Sequence, residues 1–314
     1  LTVAETTQIG TNGTLNCNAS TCQFGATTYT AGKGLDCVGS SPGATFNGGT
    51  GTHTYSSILL AADSNVDFTP TTGSATITAE SNTNIAFYMA NGCVVGGGTY
   101  NLTVATPTDT AGNLLSDTTF NTVTFTPSSG TPTHQLHGDG LKCTNLTINA
   151  NATVDTTSGT NGPIVVTGDA SVTGTLTGNA SAISLGSLTI ASGGTYSATS
   201  GTTTMTGVTD EVFNFTTTGT FTHNKGTVKF FTDLTDMEMW INDNVTFYNL
   251  EIDTADNARF QNTTILGDLT VTDGIFKQYS NANTITVHGN THVLADGTLG
   301  ASTLTGASTY HGLI

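Results

Sequence analysis

Five cysteines, at positions 17, 22, 37, 93 and 143, and a single tryptophan among carboxylates carry most of the reactive chemistry in this 314-residue chain. Cys17 and Cys22 lie five positions apart in a polar Asn/Ser/Thr stretch, a spacing that a short disulfide loop closes easily. The expected pairing is Cys17–Cys22 with Cys37–Cys93, leaving Cys143 over. The other reading makes all five reduced, small buried hydrophobes. Asp233, Asp236 and Glu238 stand beside Trp240. Two carboxylates and a ring for a sugar to stack on are what glycan contact or cleavage needs, although Met237, Met239 and Trp240 equally suit a buried cap or an interface patch.

His134, His137, Asp139 and Cys143 form the densest run of metal-capable side chains, but a spacing of three on a strand points the two imidazoles to opposite faces. Acidic turns such as Asp253-Thr-Ala-Asp256-Asn257 and Asn242-Asp243-Asn244 offer oxygens to Ca²⁺, yet none has the Asp-x-Asp/Asn-x-Asp/Asn-Gly form. Asp and Asn suit turns without any metal. No cofactor is expected beyond that calcium reading. No nucleophile elbow, phosphate loop or dinucleotide fingerprint occurs, so the chain reads as non-enzymatic.

Charge narrows the partners. Only 9% of residues are charged, with 6 Lys+Arg against 22 Asp+Glu and a net charge of -16. Six scattered cations make no phosphate footprint, which excludes nucleic acid. They also make a poor cradle for acidic polysaccharide. No apolar run is long enough to span a membrane as a helix. A chain opening at Leu1 reads as a mature product whose leader has been removed, or as an artificial boundary. With the cysteines, this places the protein outside the cell, as a secreted, cell-surface or virion component. Sequons begin at Asn12, Asn18, Asn101, Asn145, Asn151, Asn179, Asn214, Asn244 and Asn262. A chain this rich in Asn, Ser and Thr produces about that many by chance, so glycosylation is permitted rather than indicated.

The elements that must position these residues are strands. Helical periodicity is missing, while short alternating runs such as Thr122-Val-Thr-Phe-Thr and Thr227-Val-Lys-Phe-Phe are broken by Gly, Asn and Asp turns. A phrase of polar residue, Leu, Thr or Glu, then Ile or Val recurs at 101–104, 145–148, 187–190, 249–252 and 268–271. Gly-Thr opens a strand at 174, 194, 219, 226 and 297. A unit of roughly twenty residues predicts β-solenoid turns, each with one Leu and one Ile/Val inside. The imperfect period leaves two β-sandwich domains as the alternative. Domains are expected at 1–130, an N-terminal disulfide-stapled β domain, and at 131–314, a β-strand-repeat domain, divided by Thr126-Pro-Ser-Ser-Gly-Thr-Pro.

Residues 99–306 resemble β-strand-repeat proteins of cell surfaces and structural proteins of marine bacteriophages. The resemblance rests on Ser187-Leu-Thr-Ile-Ala-Ser-Gly-Gly-Thr, Gly226-Thr-Val-Lys-Phe-Phe, Asn244-Val-Thr-Phe-Tyr-Asn-Leu-Glu-Ile and Gly267-Asp-Leu-Thr-Val-Thr-Asp-Gly. It implies a structural or adhesive role outside a cell and no catalytic residues. The uncharged Thr/Asn strands lack the lysines that keep sheet edges apart. The apolar ends, Leu1 and Val3 at one and Leu313 and Ile314 at the other, suit strand addition to copies of the same chain. Cell-surface glycans are the alternative partner. A remote alternative is an ice-binding face, but the Thr-x-Thr runs at 76–78, 124–126 and 202–204 do not look like one repeated position.

Overall fold

The computed structural model describes residues 1–25, 34–37, 43–60, 66–69, 71–78, 87–89, 94–95, 101–104, 120–127, 130–136, 140–156, 161–207, 213–215, 219–232, 239–241, 244–280, 282–300 and 308–309. Within them every regular element is a strand, and the strands pair in parallel. Parallel pairing rules out the two sandwiches, whose sheets are antiparallel. The chain forms two compact units, Leu1–Pro163 and Ile164–Ile314, and each is a parallel β-solenoid.

In Leu1–Pro163 three short strands make a turn. Thr2–Val3, Thr7–Ile9 and Thr14–Asn16 are followed by Cys22–Phe24, Leu35–Cys37 and Thr45–Asn47, then by His53–Tyr55, Ile58–Leu60 and Asp67–Thr69. Each strand pairs with its counterpart one turn on. The first side continues through Ser74–Ile77, Asn101–Val104, Phe120–Phe125 and Leu141–Ile148. The described residues of the N-terminal hundred are thus solenoid too, although no repeat is visible in their sequence. Turns differ in length: Thr2 pairs with Gln23, 21 positions on, but Cys22 pairs with His53, 31 on.

In Ile164–Ile314 some strands carry two sides each. Ile183–Ile190 pairs through 183–185 with Thr202–Met205 and through 188–190 with the separate strand Phe213–Phe215. The long strands turn the corner at irregularities, between Val166 and Asp169 and between Ile252 and Asn257, since an extra residue bends a strand. Of the Gly-Thr phrases, three open strands on one side, Thr175–Thr177, Thr195–Ser197 and Thr220–Thr222, stacked in register.

The interior follows from the period of two. Leu146/Ile148, Leu188/Ile190, Leu250/Ile252 and Leu269/Val271 are all buried, as the repeat phrase predicts. Leu250 sits directly opposite Leu269. Like side chains therefore lie one above another, and rings stack: Phe24 on Tyr55 at 5.3 Å and Phe46 on Phe68 at 5.1 Å. At the corners, side-chain oxygens take over amides that the sheets leave behind. The Asp268 amide donates to Asn249 Oδ1 at 2.9 Å, the Asn290 amide to Asp268 Oδ1 at 2.8 Å, and the Thr284 amide to Asn262 Oδ1 at 2.9 Å. Asn12, Asn18, Asn151 and Asn179 all have positive φ. Turn geometry that Asn tolerates is reason enough for four of the nine sequons.

Gly140 shows how tightly turns approach. Its φ is +75°, and a Cβ there would lie 1.8 Å from the Pro163 carbonyl oxygen, which accepts the Leu141 amide at 2.8 Å. Gly140→Ala is expected to destabilise Leu1–Pro163 by about 1–3 kcal/mol. Gly10→Ala, with nothing within 4 Å, is the near-neutral control. Thermal unfolding of both variants checks this, and equal midpoints would refute it.

Candidate functional site

Parallel register converts scattered threonines into a column. Thr54 lies opposite Thr76, Thr76 opposite Thr103, Thr103 opposite Thr124 and Thr124 opposite Thr147. Beside it run Ser74, Asn101, Thr122 and Asn145, again mutually in register. Ser74 Oγ donates to Thr52 Oγ1 at 3.4 Å, which extends this second column by one turn. Thr54, Thr76, Thr122, Thr124 and Thr147 are half-buried on the outer surface, and no charged residue interrupts either column. Polar groups here repeat about every 4.8 Å across strands and about 6.7 Å along them. Thr76 and Thr124 are thus at one repeated position after all, separated by the turn carrying Thr103. Thr202–Thr204 lies in the other unit, with Thr204 opposite Ser184 and Lys229. The irregular loop lengths hid the column from any count along the sequence.

A different pattern marks one outer side of Ile164–Ile314. Lys229 bonds Glu251 at 2.9 Å and Asp253 at 2.6 Å, and its ammonium stands 5.5 Å from the Phe231 ring centre. Partial burial pulls the Lys229 pKa down, but the two carboxylates outweigh it and hold the pKa above its ordinary value. Asp253, one of the calcium candidates, is therefore engaged by a cation. The Asp256 side chain and residues 242 and 243 lie outside the described set.

The glycan candidates divide similarly. Asp233, Asp236 and Glu238 lie outside the described residues. Trp240 is on the strand Met239–Ile241, in register with Arg259, and Arg259 with Lys277. The register therefore places Trp240 opposite Arg259 on the neighbouring strand, a juxtaposition that linear spacing did not show.

Metal-capable residues also regroup. His134 and Cys143 are buried, while His137 and Asp139 lie outside the described residues. His134 sits 4.8 Å from the Phe125 ring and neither ring nitrogen has a hydrogen-bond partner. Burial lowers its pKa to about 4, so it is a neutral core residue. Burial likewise pushes the Cys143 thiol up to about 12. Among the described residues the one group of three or more candidate ligands is Cys17, Cys22 and His53, all buried, with ligand atoms within 4.8 Å of one another. The expected Cys17–Cys22 disulfide is not present here: both are free thiols. Cys37 is buried, and its expected partner Cys93 lies outside the described residues.

No helix among the described residues is long and apolar enough to cross a membrane. Leu1 is exposed, Thr2–Val3 pairs with Cys22–Phe24, and Leu313 and Ile314 lie outside the described set. Comparison with protein-family profiles, curated proteins and solved structures returned no match.

Proposed function

We infer that this is a non-enzymatic structural protein that works outside the cell, as part of a filament, surface coat or virion, and associates with copies of itself. The observation that supports it most is the uncharged, in-register Thr/Asn surface of Leu1–Pro163. In a chain of net charge -16, a face free of carboxylates is where two copies can meet without like-charge repulsion. Its hydroxyls and amides repeat at strand spacing, so any one contact made between two such faces is made again on the next turn. Strand addition at Thr2–Val3 is a second route, because a parallel edge accepts a further strand by backbone hydrogen bonds.

Thr76→Lys combined with Thr124→Lys should abolish association while leaving the melting temperature within about 2 °C, since outward-facing substitutions away from the core usually change stability little. Electron microscopy and sedimentation of wild type and variant read the result. A wild-type protein that stays monomeric at high concentration removes the reading. If deleting residues 1–9 blocks assembly and the lysine pair does not, the contact is strand exchange and not the Thr face.

A second reading is favoured by the same column. Flat rows of threonine, each with a hydroxyl and a methyl, suit the ordered water of an ice surface. Thermal hysteresis that disappears in the lysine pair would select it over self-association.

A further inference from the structure

We propose that Cys17, Cys22 and His53 form a buried structural site for a divalent, thiol-seeking cation of the zinc class, pinning the first two turns of the solenoid to the third. Cys17 follows the strand Thr14–Asn16 at the corner that ends the first turn, and Cys22 opens the second. His53, 31 residues further on, opens the third turn directly opposite Cys22. Two sulfurs and an imidazole nitrogen from three successive turns therefore converge in the interior, all within 4.8 Å. Thiolate and imidazole are the ligands zinc selects.

A second observation points to a ligand independently. His53 Nδ1 is 2.8 Å from the Tyr55 hydroxyl, whereas Nε2 is buried with no hydrogen-bond partner. Buried ring nitrogens are rarely left so. When Nδ1 carries the ring proton and donates it to Tyr55, Nε2 keeps its lone pair, the arrangement found in metal-ligating histidines held by an outer partner. The Ser20 carbonyl, which accepts from Cys22 Sγ at 3.7 Å, is a further oxygen donor at hand.

The loop is built to hold its shape. The Thr50 amide donates to the Asn18 carbonyl at 2.7 Å, the Cys17 amide to Asn47 at 2.9 Å and the Cys22 amide to Thr52 at 3.1 Å. Gly49, at φ +68°, lies so close that a Cβ would meet the Asn18 carbonyl oxygen at 1.8 Å. Charge decides the class of cation. The surroundings are apolar, with the Phe24 and Phe46 rings 6.0 and 6.2 Å from that of His53. Two thiolates and a divalent ion sum to zero, whereas a monovalent ion would bury a net negative charge. Binding breaks two S–H bonds, forms two metal–sulfur bonds and releases two protons, with no change of oxidation state. Because two protons leave, uptake should weaken as the pH falls.

The test uses the full chain, reduced and handled without oxygen, titrated with Co²⁺ as spectroscopic probe and with Zn²⁺ in competition. One equivalent of Co²⁺ should bind with sulfur-to-cobalt charge-transfer absorption and tetrahedral ligand-field bands, and Zn²⁺ should bleach both and raise the melting temperature. Cys17→Ser and Cys22→Ser should lose the bands and the Zn²⁺-dependent rise. Tyr55→Phe keeps the ligands and should weaken binding about 10–100-fold, as loss of an outer-sphere partner does. A wild-type protein that binds no cobalt, or a Cys17→Ser variant that binds it as well as wild type, overturns the proposal. So does a Cys17–Cys22 disulfide mapped in protein isolated without oxidant.

Discussion

Phe260→Ala is expected to cost about 3–5 kcal/mol, the usual range for emptying a fully buried aromatic site. Phe260 is fully buried, and its ring lies 4.9 Å from Phe276, 5.8 Å from Phe230 and 6.4 Å from Phe247. Two of these neighbours lie on adjacent turns: Val228–Phe230 pairs with 250–252, and Ala258 pairs with Phe276. The ring thus fills space that belongs to several turns at once. A solenoid turn touches only its neighbours, so there is no distant core to compensate for the lost interface. The surrounding sheets are held by ladders on each side and will not collapse into the cavity. Urea unfolding should show the full loss. Hydrogen exchange should show it first in 245–299, with smaller changes at 164–190. Phe231→Ala is the internal contrast: that ring is 36% exposed and its removal should cost less than about 1 kcal/mol. Equal effects for Phe260 and Phe231 would mean that the stacked interior is not what holds this unit together.

His134→Leu should make the protein more stable, and increasingly so in acid. His134 is the inward residue of the three-residue strand Thr133–Gln135, opposite Val154 on the next turn. Both of its nitrogens are buried without partners, so the folded state forgoes the hydrogen bonds that water supplies in the unfolded chain. Replacing such a group by an apolar one of similar size removes a penalty of about 1–3 kcal/mol. The pH dependence has a definite sign. The folded pKa is about 4 against a reference of 6.5, so the unfolded chain binds the proton more readily. Above pH 6.5 both states are neutral and His134 costs nothing through protonation. Between 6.5 and about 4 the unfolded state alone gains the proton and stability falls, by about 3 kcal/mol in total. Below pH 4 the folded state protonates as well and the loss levels off. His53, whose pKa burial also lowers, adds in the same direction. Urea unfolding at pH 7.5 and 4.5 should therefore show a gap between His134→Leu and wild type that widens in acid. A gap that stays constant, or a variant less stable at pH 7.5, would refute the assignment of His134 as an unsatisfied neutral core residue.

Alternation of Val, Ile, Leu and Phe with Thr was enough to predict an all-β chain, because a strand sends alternate side chains to opposite faces whatever it pairs with. The Leu-Thr-Ile, Leu-Glu-Ile and Leu-Thr-Val phrases were likewise enough to name the inward residues at 146, 148, 188, 190, 250, 252, 269 and 271, all of which are buried. Sequence alone also marked Asn as a turn-forming residue type, since an Asn tolerates positive φ at little cost. What it could not supply was vertical register. Turns advance by 21 residues from Thr2 to Gln23, 31 from Cys22 to His53 and 19 from Leu250 to Leu269, because corner loops vary while the pairing of sheets does not. Cys17 and Cys22 were legible as a pair, but His53, which opens the next turn, became their neighbour only through backbone pairing. The same pairing lined up Thr54, Thr76, Thr103, Thr124 and Thr147 across spacings of 22, 27, 21 and 23. Hydrogen bonds between turns are satisfied at one register alone, and that geometric requirement, acting over distances the sequence does not encode as a period, determined which residues share a site.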